Sequence, residues 1–107
     1  MAEPLDAIII GAGPAGLATA ACMRGRGLNA VIYEKSGSVG AVWRRHYDRL
    51  HLHTDRAHSG LPGLPMPSSC GQYPSRGHLV EYLESYAAKF NLKPMFNACV
   101  REVRRDG

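Results

Sequence analysis

A chain of 107 residues has room for one domain at most, and a composition of 45% hydrophobic and 21% charged residues excludes disorder. The formal net charge of +4 sits mainly on Arg44, Arg45, Arg49, Arg56, Arg101, Arg104 and Arg105. No RNA or DNA module pattern accompanies it, so the excess reads as a solvated face with some attraction for anionic cofactors, and no nucleic-acid partner is expected. No stretch approaches the ~18 apolar residues of a membrane span, and residues 1–6 carry two acids and no base, unlike the start of a signal peptide. Cys22, Cys70 and Cys99 make an odd count without C-x-x-C spacing. That points away from a disulfide framework or a zinc site and toward reduced, cytoplasmic thiols.

The first predicted element is a strand, Leu5-Asp6-Ala7-Ile8-Ile9-Ile10, running straight into Gly11-Ala12-Gly13-Pro14-Ala15-Gly16. This is G-x-G-x-x-G between a strand and a helix. Gly11 allows the tight turn, Gly13 lets a pyrophosphate approach the backbone, and Gly16 lets the helix pack closely on the sheet. Pro14 suits the first helical turn. The helix is expected over about Pro14 to Arg24, ended by Gly25 and Gly27. Its N-terminus offers free N–H groups and partial positive charge to a diphosphate. Asn29 to Tyr33 reads as a second, parallel strand, completing a βαβ unit. Glu34 follows, 18 residues past Gly16, near the ~20-residue spacing of an acid that accepts from a ribose 2′-OH. A 2′-phosphate would be repelled there, so the ligand is the unphosphorylated adenosine of FAD or NAD. A glycine-rich turn in an ordinary α/β domain, with Glu34 solvated, is the duller alternative. The ordered succession of strand, glycines, helix, strand and acid argues against it.

Residues 36–40 read as loop and Ala41 to Tyr47 as the start of a short helix. The glycines of Gly37-Ser38-Val39-Gly40-Ala41-Val42-Trp43 let this loop fold over a cofactor, with Trp43 packing either beside it or in the core. Leu50 to Thr54 alternates as a short, half-buried strand. His51 and His53 share one face of it, but no carboxylate or cysteine stands at ligand spacing, so no metal is expected. His53 and Thr54 are better placed to hydrogen-bond a cofactor ring. No serine has an elbow sequence around it, and no catalytic residue is assigned. From Ser59 to Pro74 lie four of the seven prolines and three of the twelve glycines, a density that predicts no regular element. Ser75 reads as the N-cap of an amphipathic helix carrying Leu79, Leu83, Tyr86, Ala87 and Phe90 on one stripe. Pro94 is expected to stop it, and Asn97 to Val103 alternates weakly as a strand. The chain closes on Asp106-Gly107, a hairpin-turn signal with no return strand behind it, so the domain reads as cut.

The glycine loop, Glu34, the Gly40 to Trp43 step, Tyr47-Asp48-Arg49-Leu50-His51-Leu52-His53-Thr54, Leu61 to Pro67, Tyr73-Pro74-Ser75 and Glu81-Tyr82-Leu83-Glu84-Ser85-Tyr86-Ala87 occur in this order. In that order the chain resembles the N-terminal part of class B flavin-dependent monooxygenases. It is especially similar to the plant YUCCA-type indole-3-pyruvate monooxygenases and their bacterial relatives. The resemblance covers Ala7 to Val103. It implies an α/β fold with a Rossmann-like, FAD-binding βαβ unit, from a flavoprotein with two dinucleotide-binding domains. It also implies FAD, reduction by NADPH, and a C4a-hydroperoxyflavin that oxygenates a small molecule such as an amine, a sulfide or a 2-oxo acid. Carried over by position, Gly11, Ala12, Gly13, Pro14, Ala15 and Gly16 hold the FAD pyrophosphate, and Glu34 the adenosine ribose. Lys35 lies beside the adenine, and Val42 and Trp43 lie near the flavin. His53 and Thr54 stand where the family places an Asn-Ser/Thr pair against the isoalloxazine and nicotinamide, His53 following the plant branch.

The family's Phe-Gly, His and aromatic signature and its second glycine motif are absent from the sequence. Residues 1–107 are therefore expected to be a partial FAD/NAD(P)-binding domain, truncated before the NADPH domain and without turnover alone. Three other readings remain. A pyridine nucleotide-disulfide reductase would carry a redox cysteine pair soon after the ribose acid, and no cysteine lies between Glu34 and Ser69. An NAD-dependent dehydrogenase would continue into further βα units. A non-catalytic FAD-binding module could pair with a full-length paralogue.

Overall fold

A computed structural model describes residues 4–44, 52 and 56–105. The elements are β1 (Ala7–Ile10), α1 (Pro14–Gly25), β2 (Ala30–Tyr33), α2 (Ala41–Arg44), α3 (Arg56–Ser59), a single 3-10 turn (Ser68–Cys70) and α4 (Arg76–Lys89). β1 and β2 pair in parallel, in the register Ala7 with Ala30 through Ile10 with Tyr33. Parallel neighbours need a crossover, and α1 supplies it. Ile9 and Ile32 turn to the core beside Leu17, Ala20 and Ala21 of α1. The alternate positions Ile8 and Ile10 face away and are 57% and 61% exposed.

Gly16 shows why α1 can lie so close. A Cβ there would stand 2.1 Å from the Gly11 carbonyl oxygen and 3.3 Å from Ile9 Cγ2. α1 ends as expected, one residue later. The Leu28 N–H donates to Met23 O at 3.0 Å and the Gly27 N–H to Arg24 O at 3.0 Å, with Gly27 in the left-handed region at φ +75°. This is a Schellman closure, for which glycine is the usual residue.

α4 completes the core. Ser75 caps it as expected: its Oγ accepts from the His78 N–H at 3.1 Å. His78 returns the bond, its Nδ1 accepting from the Ser75 N–H at 3.3 Å. Leu79, Leu83, Tyr86 and Ala87 of the expected stripe are buried, joined by Val80 and Tyr82, while Phe90 is only partly buried. Pro94 is not what stops the helix. Asn91 adopts φ +55°, and the Leu92 N–H turns back to Ala87 O at 2.8 Å, closing the helix after Lys89.

The proline-rich excursion is not wholly irregular, since it contains the 3-10 turn and an antiparallel bridge between Leu61 and Leu64. Its order comes from α4. Tyr82 Oη accepts from the Leu61 N–H at 2.7 Å and donates to Leu64 O. Tyr86 Oη donates to Pro62 O at 2.6 Å, and Lys89 Nζ to Gly63 O at 2.9 Å. The strand expected over Asn97–Val103 does not form. The third chain beside β2 is a single bridge at Met95, bonded to Ile32 O and Glu34 N. Asn97 then turns at φ +54°, and Val103 is 77% exposed, so the alternation has no surface to bury. Of the strand expected at Leu50–Thr54, Leu52 is described; it lies outside any strand and donates its N–H to Pro74 O at 2.8 Å. The other residues of that segment lie outside the described ones.

Candidate nucleotide-binding site

The glycine loop leaves β1 with the Gly11 N–H on Tyr33 O at 2.8 Å, and Gly11 turns at φ +102°. Only glycine adopts that backbone freely. Ala12 is fully buried and held on both sides. Its N–H donates to Glu34 Oε1 at 2.9 Å, and its carbonyl accepts from the Gly40 N–H at 3.1 Å. Gly13 is the N-cap of α1 and has no side chain to cap it. The first N–H inside α1 to find an acceptor is that of Leu17, on Gly13 O at 3.0 Å. Among the described residues the N–H groups of Gly13, Ala15 and Gly16 make no hydrogen bond. Pro14 has none to offer. A Cβ on Gly13 would meet nothing within 4 Å, so the space in front of these donors is open. Free N–H groups, the positive end of a helix dipole and an open approach fit a diphosphate. The residues present therefore suit a dinucleotide.

Glu34 ends β2 and is 8% exposed. Its two oxygens are shared between loops, Oε1 on the Ala12 N–H and Oε2 on the Ser36 N–H at 2.7 Å. Burial pushes its carboxyl up. The Ala12 and Ser36 hydrogen bonds, helped by the charge of Lys35, outweigh burial and hold it below the ordinary carboxylate value. The carboxylate is thus ionised at neutral pH and sits beside the glycine loop, where spacing put it.

The structure brings Gly11 to Gly16, Glu34 and Gly40 together. Lys35 follows Glu34 and is exposed. Val42 is 59% exposed, and Trp43 packs partly buried against the core cluster. His53 and Thr54 lie outside the described residues. Two further participants join the site: Ser36, from a segment read only as loop, is second donor to Glu34, and Gly40 is donor to Ala12. Gly40 stood in the glycine motif after Glu34, which was the available signal. Ser36 acts through its main-chain N–H and also through its side chain, which hydrogen-bonds the same carboxylate. Among the described residues no group of three or more His, Cys, Asp or Glu is set to hold a metal ion. No helix there is long and apolar enough to cross a membrane.

The sequence model of the family described as pyridine nucleotide-disulphide oxidoreductase matches residues 8–107. The indole-3-pyruvate monooxygenase YUCCA6 of Arabidopsis thaliana is 44% identical over 100 residues, which are 92% of this chain and 24% of that protein. The chain therefore spans about a quarter of the length of the curated relatives it matches. Among solved structures, a flavin-containing monooxygenase from Stenotrophomonas maltophilia is 34% identical with a TM-score of 0.87, covering 99% of this chain and 32% of that one. A steroid monooxygenase solved with NADP bound is 25% identical with a TM-score of 0.75, covering 86% of this chain and 19% of that one.

Proposed function

This chain belongs to the pyridine nucleotide-disulphide oxidoreductase family, and we propose that within it residues 1–107 are the FAD-binding, N-terminal portion of an NADPH-dependent flavin monooxygenase. The observation that carries the reading is the buried Ala12, tied to Glu34 at 2.9 Å beside the unbonded N–H groups that open α1. The N–H groups of Gly13, Ala15 and Gly16 take the pyrophosphate, and Pro14 keeps that turn helical without competing for it. Gly11 and Ala12 set the loop's path. Glu34 accepts from the adenosine ribose and repels a 2′-phosphate. Carried over from the resemblance, Lys35 would serve the adenine edge, Val42 and Trp43 the flavin side, and His53 and Thr54 the flavin ring.

Bound FAD, reduced by NADPH, supplies the oxygen chemistry, and no residue of this chain is assigned a catalytic role. The substrate is a small molecule, an amine, a sulfide or a 2-oxo acid. The indole-3-pyruvate in the relatives' names favours the last. The likeness to flavin monooxygenases, not a redox cysteine pair, sets the chemistry within the family. All three cysteines are free thiols, which supports a cytoplasmic setting. A second reading, a non-catalytic module that pairs with a full-length paralogue, is favoured by the bare sheet face at Ile8 and Ile10.

The experiment is a titration of the full chain with FAD, followed by flavin fluorescence, in competition with ADP and with ADP carrying a 2′-phosphate. Saturable FAD binding displaced by ADP and not by the 2′-phosphorylated analogue is expected. Absence of FAD uptake, or equal competition by both analogues, contradicts the assignment.

A further inference from the structure

We infer that Glu34 is a positioning residue for the phosphate-binding loop, acting through the Ala12 main chain, and not only an acceptor for a ribose. The inference rests on the nucleotide-binding reading above and assigns its acid a second task.

Both oxygens of Glu34 already hold backbone donors, Ala12 N–H at 2.9 Å and Ser36 N–H at 2.7 Å, with the residue 8% exposed. A carboxylate oxygen accepts more than one bond, so a ribose hydroxyl can be added without displacing either. A peptide unit is planar, so fixing one of its groups fixes the other. The bond to Glu34 fixes the Gly11–Ala12 plane. The bond from the Gly40 N–H to Ala12 O, at 3.1 Å, fixes the Ala12–Gly13 plane, which carries the Gly13 N–H. Gly40 is itself braced from α4: at φ +67° it lies so close that a Cβ would stand 3.1 Å from Leu83 Cδ1. The unbonded Gly13 N–H therefore points where β2, the 36–40 loop and α4 together direct it. Without Glu34, the fully buried Ala12 is left with an unpaired N–H, and that plane is free to turn.

A ligand without ribose hydroxyls separates the two tasks. The full chain, wild type and Glu34→Ala, is titrated with ADP and with 2′,3′-dideoxy-ADP, and hydrogen exchange of the Ala12 amide is followed without ligand. Where Glu34→Ala does not fold, Glu34→Leu, which keeps the bulk and offers no acceptor, carries the same comparison. Loss of a charge-assisted bond is expected to weaken both ligands by about tenfold or more, with Ala12 exchange accelerated. Ser75→Ala, which frays the first turn of α4 and leaves Leu83, about two turns further along, in place against Gly40, should leave both affinities unchanged and so calibrates general destabilisation. If the Glu34 variant loses ADP affinity but keeps wild-type affinity for dideoxy-ADP, the acid serves the ribose alone and the inference is wrong. If wild type binds neither ligand, the nucleotide reading fails. The exchange arm then still decides: an unchanged Ala12 rate in the variant overturns the positioning role.

Discussion

The two long helices among the described residues begin in opposite ways. α4 opens behind Ser75, whose Oγ takes the His78 N–H while His78 Nδ1 takes the Ser75 N–H. α1 opens behind Gly13, with no side-chain cap and with the N–H groups of Gly13, Ala15 and Gly16 unbonded among the described residues. An orphan helix end costs stability unless something satisfies it. The closed end belongs to a helix whose work is internal: it buries six side chains and holds the proline-rich loop through Tyr82, Tyr86 and Lys89. The open end is flanked by everything needed to present it outward, namely Glu34 and Gly40 on Ala12 and clear space before Gly13. One helix start is saturated from within, and the other, on the function proposed above, takes a ligand.

Substitutions can break or sharpen this contrast. The largest effect belongs to Gly16→Ala, whose Cβ would meet a backbone oxygen at 2.1 Å. α1 must then lift from the sheet, at a cost of about 3 kcal/mol in urea unfolding together with loss of FAD binding. Next comes Glu34→Ala, which should reduce FAD binding free energy by about 1.5–3 kcal/mol, read from flavin fluorescence. The same carboxyl gives a pH test. Its folded value lies below the ordinary one, so its stabilisation is full above about pH 5 and is lost as pH falls through the folded value. The stability gap between wild type and Glu34→Gln should therefore close on acidification, measured by thermal melts across pH. Ser75→Ala should cost about 1 kcal/mol of stability and nothing in FAD affinity. Smallest in stability is Gly13→Ser, at φ −88° and with open space around it. It gives α1 the cap it lacks and should change stability by only a few tenths of a kcal/mol. Its FAD affinity should fall, because the new hydroxyl occupies the donors and the approach.

The first half of the fold was legible because its signals are local. Ile8 to Ile10, three spaced glycines and Pro14 each dictate a conformation within a few residues, and Glu34 sits at a spacing fixed by one crossover helix. The C-terminal half was legible where a cap and an apolar stripe coincide, at Ser75 and along Leu79, Leu83 and Tyr86. It misled where a competing local choice won. Asn91 tolerates the left-handed region and ended α4 before Pro94 could. The segment Asn97–Val103 bonds at its start, Asn97 N–H to Ser36 O and Ala98 N–H to Glu34 O, without forming a strand, and tertiary pairing, not pattern, decides a strand. Tyr82 was left off the stripe, yet it is buried and its hydroxyl holds Leu61 and Leu64. The same blindness to side chain–backbone bonds hid Ser36 and His78, since such partners are chosen by the fold.

The most direct test of the account is the amide spectrum of the isotopically labelled full chain during FAD titration. The N–H signals of Gly13, Ala15 and Gly16 should move together and saturate in step with flavin fluorescence, while those of Gly77 and His78 at the start of α4 stay still. Flavin binding that leaves the three α1 amides unmoved would contradict it.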